Sequence, residues 1–178
     1  MELVEKRLSS KIVYRGKILN LRVDSVELPN GRTASREVVE YAGAVAIVPF
    51  IEKDEILLVR QYRYPVGKLL LEVPAGKMEE GEDPGETAAR ELIEETGYRA
   101  GEIKFLFSYY STPGFTNEKM YLYMARNLTY VGERPDEDEF VQAERVTMEK
   151  ALEMIKGGGI CDAKSIVGIL AAKREMDS

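Results

Sequence analysis

Strand-like apolar segments at residues 19–28 and 35–40 flank Pro29-Asn30-Gly31, a strong turn signal, so a hairpin is expected there. Ala44 to Phe50 and Ile56 to Arg60 read as further strands on either side of the polar turn Glu52-Lys53-Asp54. Leu69 to Glu72, Ile103 to Tyr109 and Met120 to Ala125 add more. Between them the local signals turn helical. Asp83 is a good N-cap with Glu86 three residues on, Pro84 suits the first helical position, and Gly97 can close the helix in a left-handed cap, so a helix is predicted over residues 84–96. Thr147 can cap a second helix to about Ile155, ended by Gly157-Gly158-Gly159, and Asp162 a last amphipathic helix to about Lys173. There are no repeats or low-complexity linkers, and the mixture of strands and helices predicts an α/β (α+β) fold.

The helix over 84–96 is two-sided. At about 100° per residue, Ala88, Ala89, Leu92, Ile93 and Thr96 fall on one arc, while Glu91, Glu94 and Glu95 share the neighbouring one. Like charges four apart, as in Glu91 and Glu95, cost a few tenths of a kcal/mol on an exposed helix and more in a cleft. Arg90 can pair with Glu94 or fold back toward Glu86, but one guanidinium cannot neutralise Glu82, Glu91, Glu94 and Glu95 together. A hard divalent cation can. Oxygen ligands suit Mg²⁺ or Mn²⁺, and a chain with no His and a single Cys has almost no means of building a zinc or copper site. A solvated acidic helix face is the bland alternative.

Composition narrows the setting. With 178 residues, 44% of them hydrophobic, the chain can bury a sizeable core as one domain with an N-terminal extension. No apolar run approaches membrane-spanning length, and the charged start is not a signal peptide, so a cytoplasmic protein with no membrane partner is expected. The net charge of −6 argues against nucleic acid. Cys161 reads as a packing residue, because no His exists to activate it.

The spacing of Gly76, Glu82, Arg90, Glu91, Leu92, Glu94, Glu95 and Gly97 resembles the Nudix hydrolase signature, Gly-x5-Glu-x7-Arg-Glu-U-x-Glu-Glu-x-Gly-U, where U is bulky and aliphatic. Tyr98 at the last U is the one departure. The resemblance implies an α/β/α sandwich with a mixed central sheet over residues 41–178, and a small N-terminal β-subdomain over 1–40. It implies hydrolysis of a nucleoside diphosphate linked to another group, with metal held by Glu91 and Glu95, together with Glu94 and the Ala75 carbonyl. Glu82 would be an outer ligand or orienter, and two or three Mg²⁺ ions, with Mn²⁺ possible, would serve. Arg90 would orient the glutamates rather than touch substrate.

Further stretches resemble the ADP-ribose pyrophosphatase branch. Pro113 lies 16 residues after Gly97 within Ser111-Thr112-Pro113-Gly114-Phe115-Thr116-Asn117-Glu118, and Leu58 to Pro65, Leu71 to Gly76, Arg36 to Glu40 and Gly43 to Ala46 match that branch as well. The resemblance implies cleavage of ADP-ribose to AMP and ribose 5-phosphate, with Thr112, Pro113 and Gly114 in the substrate loop. Arg63 would clamp phosphate, since nothing nearby in the sequence obviously neutralises it. Arg36 and Glu37 would meet the adenine or ribose in a homodimer that exchanges N-terminal strands. With no Trp in the chain, base stacking would fall to Tyr or Arg. Glu139, in the acidic loop Pro135-Asp136-Glu137-Asp138-Glu139, would be the general base.

Two rival readings stay open. One is a Nudix hydrolase for a nucleotide sugar, a dinucleoside polyphosphate or a flavin nucleotide, against which Pro113 is the main residue. The other is a non-catalytic sensor of ADP-ribose, for which a broken glutamate set and an attached DNA-binding domain would be the marks; neither is expected here.

Overall fold

The computed structural model describes residues 3–79, 81–132 and 140–178. The chain divides into two compact units, residues 1–43 with 110–119, and residues 44–109 with 120–178. The segment 110–119 therefore goes with the N-terminal strands, although it is remote from them in sequence.

The first unit holds β1 (Lys6–Arg15), β2 (Leu19–Glu27) and β3 (Thr33–Tyr41) in an antiparallel sheet of order β1-β2-β3. The expected hairpin is β2 and β3, closed by Leu28 and Arg32 around Gly31, whose φ of 81° is a left-handed value open to glycine at little cost. β1 lacks a distinct sequence signal because it mixes charged, hydroxyl and apolar residues without strict alternation, and it is exposed at every position.

The second unit is built on a mixed sheet of order β7-β4-β9-β8, formed by β4 (Ala44–Pro49), β7 (Ala75–Lys77), β8 (Tyr98–Tyr110) and β9 (Lys119–Tyr130). β4 runs parallel to β9 and antiparallel to β7. All six residues of β4 are buried, as expected of a strand covered on both faces. The register explains how. Val45 and Ile47 on β4, with Tyr123 and Ala125 on β9, pack against Ala88 and Leu92 of α1 (Pro84–Thr96). Leu92 is fully buried, which contributes about 2 kcal/mol. On the alternate positions, Val48 and Leu122 meet α3 (Ala163–Met176) at Gly168, where an added Cβ would stand 3.1 Å from Val48 and 3.2 Å from Leu122. Helices thus cover both faces of the mixed sheet, the sandwich that the resemblance implies.

A second sheet of this unit, of order β10-β5-β6, joins β5 (Glu55–Arg63), β6 (Lys68–Glu72) and β10 (Val141–Thr147). β4 and β5 are not a hairpin. They share one bridge at Phe50 and Ile56 and then diverge into separate sheets. β7 is too short to signal itself in the sequence, and β8 and β9 extend past the predicted limits because their ends are partly exposed and polar. α2 (Met148–Lys156) and α3 start where their predicted caps stand, Thr147 accepting from the Lys150 N–H and Asp162 from the Ser165 N–H.

Candidate active site

α1 begins as its sequence dictates. Asp83 accepts the N–H groups of Gly85 at 2.8 Å and Glu86 at 3.3 Å, and Gly97 ends the helix at a φ of 74°, donating to the Ile93 carbonyl. Within this frame Arg90 gathers the acidic residues. Its Nε and Nη2 donate to Glu82 at 3.1 and 3.2 Å, and its Nη1 to Glu91 at 2.9 Å and Glu94 at 2.8 Å. Glu86, an alternative partner in the sequence, is replaced by Glu82, because the turn before the helix brings Glu82 back over it. The Glu79 N–H fixes that turn by donating to Glu82 at 3.1 Å. The hydrogen bond from Arg90 holds the Glu82 carboxyl down to about 2, and the same partner raises the guanidinium further above its ordinary value.

Glu95 points to the other side of the loop, accepting the Ala75 N–H at 3.0 Å. Glu91 and Glu95 are 6% and 3% exposed, so these charges sit in the protein rather than on a solvated face. Gly76 makes room for Glu91: a Cβ there would lie 1.9 Å from the Glu91 Cδ. The site is therefore built around a backbone segment, Ala75-Gly76, flanked by two carboxylates.

Three carboxylates on one guanidinium leave negative charge uncompensated, and every donor is oxygen, so the residues fit a hard divalent cation. Among the described residues no group of three or more acidic side chains is placed to hold a metal ion; Arg90 engages Glu82, Glu91 and Glu94, and the Ala75 N–H engages Glu95.

Arg63, at the end of β5, corrects one premise drawn from the sequence. It has a neutralising partner: its Nε and Nη2 donate to Glu72 at 3.0 and 2.7 Å. Glu72, 1% exposed, also takes the ammonium of Lys164, which in turn meets Asp162 at 2.9 Å. Burial pushes the Glu72 carboxyl up, but Arg63 and Lys164 together outweigh it and hold it below the usual carboxylate range. Glu95 lies near enough to help keep Arg63 charged. The adjacent Val73 N–H donates to the buried Ser165 hydroxyl at 2.8 Å, so the strand entering Ala75 is fastened to the start of α3. Sequence reading missed Glu72, Lys164 and Ser165 as site residues. The available signal was Glu72 itself, an acid at the end of the apolar run Leu69-Leu70-Leu71, which a buried strand must pair.

The expected substrate residues Arg36, Glu37, Thr112, Pro113 and Gly114 lie in the first unit. Arg36 and Glu37 are exposed on β3, and Arg36 donates to Glu5 at 2.9 Å. Thr112, Pro113 and Gly114 are exposed in the loop 111–118, which hydrogen-bonds to β3 through Val39. Glu139 lies outside the described residues.

Comparisons with known proteins agree with this arrangement. The NUDIX domain model matches residues 40–165, and that of the nucleoside diphosphate sugar hydrolase N-terminal domain matches residues 5–39. The chain is 40% identical to the ADP-ribose pyrophosphatase of Bacillus subtilis (strain 168), over 94% of this chain and 91% of that protein. It is 42% identical to the methanol dehydrogenase activator of Bacillus methanolicus, over 93% of this chain and 90% of that protein. A crystal structure of an ADP compounds hydrolase shares the fold, with a TM-score of 0.88 and 23% identity over 97% of this chain and 94% of that one. With the signature residues assembled around Arg90 and the family model covering most of its length, the chain belongs to the Nudix hydrolase family.

Proposed function

We propose that the protein hydrolyses the pyrophosphate of ADP-ribose to AMP and ribose 5-phosphate. The observation that carries this reading is the Ala75-Gly76 segment held between Glu91 and Glu95 beside the Arg90 cluster, in a chain 40% identical to an ADP-ribose pyrophosphatase along nearly its whole length. Glu91 and Glu95, with Glu94 and the Ala75 carbonyl, would hold Mg²⁺ or Mn²⁺, two or three ions in all, and Glu82 would act from outside that set. Bound metal supplies charge neutralisation of the pyrophosphate and a lowered pKa for water. Arg90 keeps the glutamates oriented through its bonds to three of them. Water attacks one phosphorus, the bond from that phosphorus to the bridging oxygen breaks, and Glu139 takes the proton from the water.

Arg63 binds phosphate through the part of its guanidinium not spent on Glu72. Holding two of its nitrogens on a buried carboxylate fixes the fork before substrate arrives, which lowers the ordering cost of binding. Arg36 and Glu37 meet the adenosine, and Thr112, Pro113 and Gly114 form the loop that selects the group beyond the pyrophosphate. A homodimer formed through the N-terminal strands is part of this reading. β1 supports it, since Leu8, Ile12, Val13 and Tyr14 are between 41% and 58% exposed on one strand. Among the described residues no helix is long and apolar enough to cross a membrane, and a cytoplasmic protein without nucleic-acid or membrane partners completes the proposal.

The test is hydrolysis in millimolar Mg²⁺ of ADP-ribose, ADP-glucose, GDP-mannose, NADH and diadenosine polyphosphates, with products separated by chromatography. AMP and ribose 5-phosphate from ADP-ribose, well ahead of the others and lost in Glu95→Gln, is the expected result. Preference for another member would replace the substrate and keep the site, whereas tight binding without cleavage would replace the enzyme by a sensor.

A further inference from the structure

The loop 111–118 is attached to β3 in an unusual way. β3 pairs with β2 on one edge, and on its other edge Val39 bridges Thr116 in parallel. The Val39 N–H donates to the Phe115 carbonyl at 2.8 Å, and the Val39 carbonyl accepts the Asn117 N–H at 3.4 Å. In a parallel ladder the next donor, the Tyr41 N–H, would go to the main-chain carbonyl of Asn117. It goes instead to the side-chain Oδ1 of Asn117, at 2.9 Å. The side chain thus supplies one more rung while the backbone turns away toward β9, a substitution open to a short side chain with an acceptor oxygen.

The other end of the loop is closed on itself. The Ser111 N–H donates to the Glu118 carbonyl at 3.2 Å, the Ser111 hydroxyl donates to the Glu118 carboxylate, and the Glu118 N–H donates to the Thr116 hydroxyl at 3.2 Å. Inside, the N–H groups of Phe115 and Thr116 both point to the Thr112 carbonyl, at 3.4 and 3.3 Å. Thr112, Pro113, Gly114 and Phe115 are left exposed between two fastened ends, Phe115 being 55% exposed. The same strand that receives the loop carries Arg36 and Glu37 three and two residues before Val39.

We propose that Asn117 is a positioning residue that sets substrate specificity: its side chain joins the loop 112–115 to β3, so that the segment reading the group beyond the pyrophosphate and the strand reading the nucleoside act as one preformed edge. The inference rests on assigning those two segments to substrate recognition, as in the reading above. Loss of the rung releases the loop by an ångström or so, a displacement that can cost on the order of 10²-fold where orientation matters. The penalty falls on the substrate the loop fits and spares those it fits poorly, so discrimination is what changes.

The experiment measures kcat/KM for ADP-ribose and for GDP-mannose with wild type, Asn117→Ala and Asn117→Asp, together with thermal melting. Expected is a fall of at least tenfold in the ratio of the two for Asn117→Ala, with the melting temperature little changed. In Asn117→Asp, which keeps an acceptor for the Tyr41 N–H, the ratio should stay within threefold of wild type. If Asn117→Ala does not fold, Ser111→Ala, which removes the hydroxyl clamp on Glu118, should shift the ratio in the same direction. A ratio within twofold of wild type in the folded variant overturns the proposal. Wild type is assayed first: if it prefers another substrate of the panel, or binds without cleaving, the functional reading fails on its own, and the ratio is taken between the preferred ligand and the next, by turnover or by calorimetric affinity.

Discussion

Gly76 and Glu91 occupy the same space in the sense that matters for substitution: any side chain at residue 76 would begin within 2.2 Å of all three carboxyl atoms of Glu91. The obstructed atoms are the far end of a flexible side chain, not backbone, so the protein can yield by turning Glu91 aside. Gly76→Ala should therefore fold, with a melting temperature within a few degrees of wild type, yet lose turnover by about 10²-fold or more, because it displaces a residue assigned to hold metal. Comparison of thermal melting with kcat checks this. A large loss of stability with intact turnover in the surviving protein would mean that the glycine serves packing alone.

Glu72 ties three elements together and carries a pH signature. Its carboxyl titrates below the ordinary range in the folded protein, because Arg63 and Lys164 overcome the burial that pushes it up. A depressed carboxyl contributes stability that is fully present above its unfolded value of about 4.3 and is lost as pH falls through the folded value. Acid melting between roughly pH 4.5 and the folded pKa should thus be shallower in Glu72→Gln than in wild type. At neutral pH the same variant leaves Arg63 and Lys164 without their shared carboxylate, a loss of about 3 kcal/mol. Melting curves across that pH range decide the matter, and parallel curves for the two proteins would remove Glu72 as the titrating group.

Helix boundaries were legible because caps are local: Asp83, Thr147 and Asp162 stand one residue before helices that the structure starts at Pro84, Met148 and Ala163. The acidic cluster was legible for the same reason, its members lying within one helix and the turn before it. What the sequence did not reveal depends on distant pairing. The Arg63–Glu72–Lys164 network joins residues up to 101 positions apart, and nothing in the neighbourhood of Arg63 announces its partner. β4 and β5 flank a polar turn and share one bridge beside it, but β4 pairs along its length with β7 and β9, and β5 with β6 and β10, partners that lie further along the chain. β1 carries no period that distinguishes a strand, and only its pairing with β2 makes it one.

β1 yields a prediction about assembly. Leu8, Ile12 and Tyr14 are exposed on a strand that, among the described residues, pairs with β2 alone. If a second copy covers this strand, Ile12→Glu places a charge in the apolar contact and should shift the protein from dimer to monomer in light scattering at micromolar concentration. The variant should fold, because residue 12 is 41% exposed and contributes little to the monomer core. A wild-type monomer, or an unaltered dimer in the variant, would move the interface elsewhere.

The glutamates assigned to metal and to the base separate by their response to cation. Glu95 lies 3% exposed against the Ala75 N–H, where it joins the helix to the segment that precedes the signature. If Glu95 holds the cation, replacing it by Gln removes a charge while keeping its size, so turnover should fall and the Mg²⁺ concentration giving half-maximal rate should rise, with Mn²⁺ restoring part of the activity. If Glu139 is the base, Glu139→Gln should lower turnover by about 10²-fold at an unchanged Mg²⁺ requirement. Chelation of all divalent cation should abolish the activity of wild type and both variants alike. Rates titrated against Mg²⁺ in the three proteins distinguish the roles: a shifted requirement in Glu139→Gln would transfer that residue to the cation site, and a loss of less than threefold would leave the proton to another carboxylate.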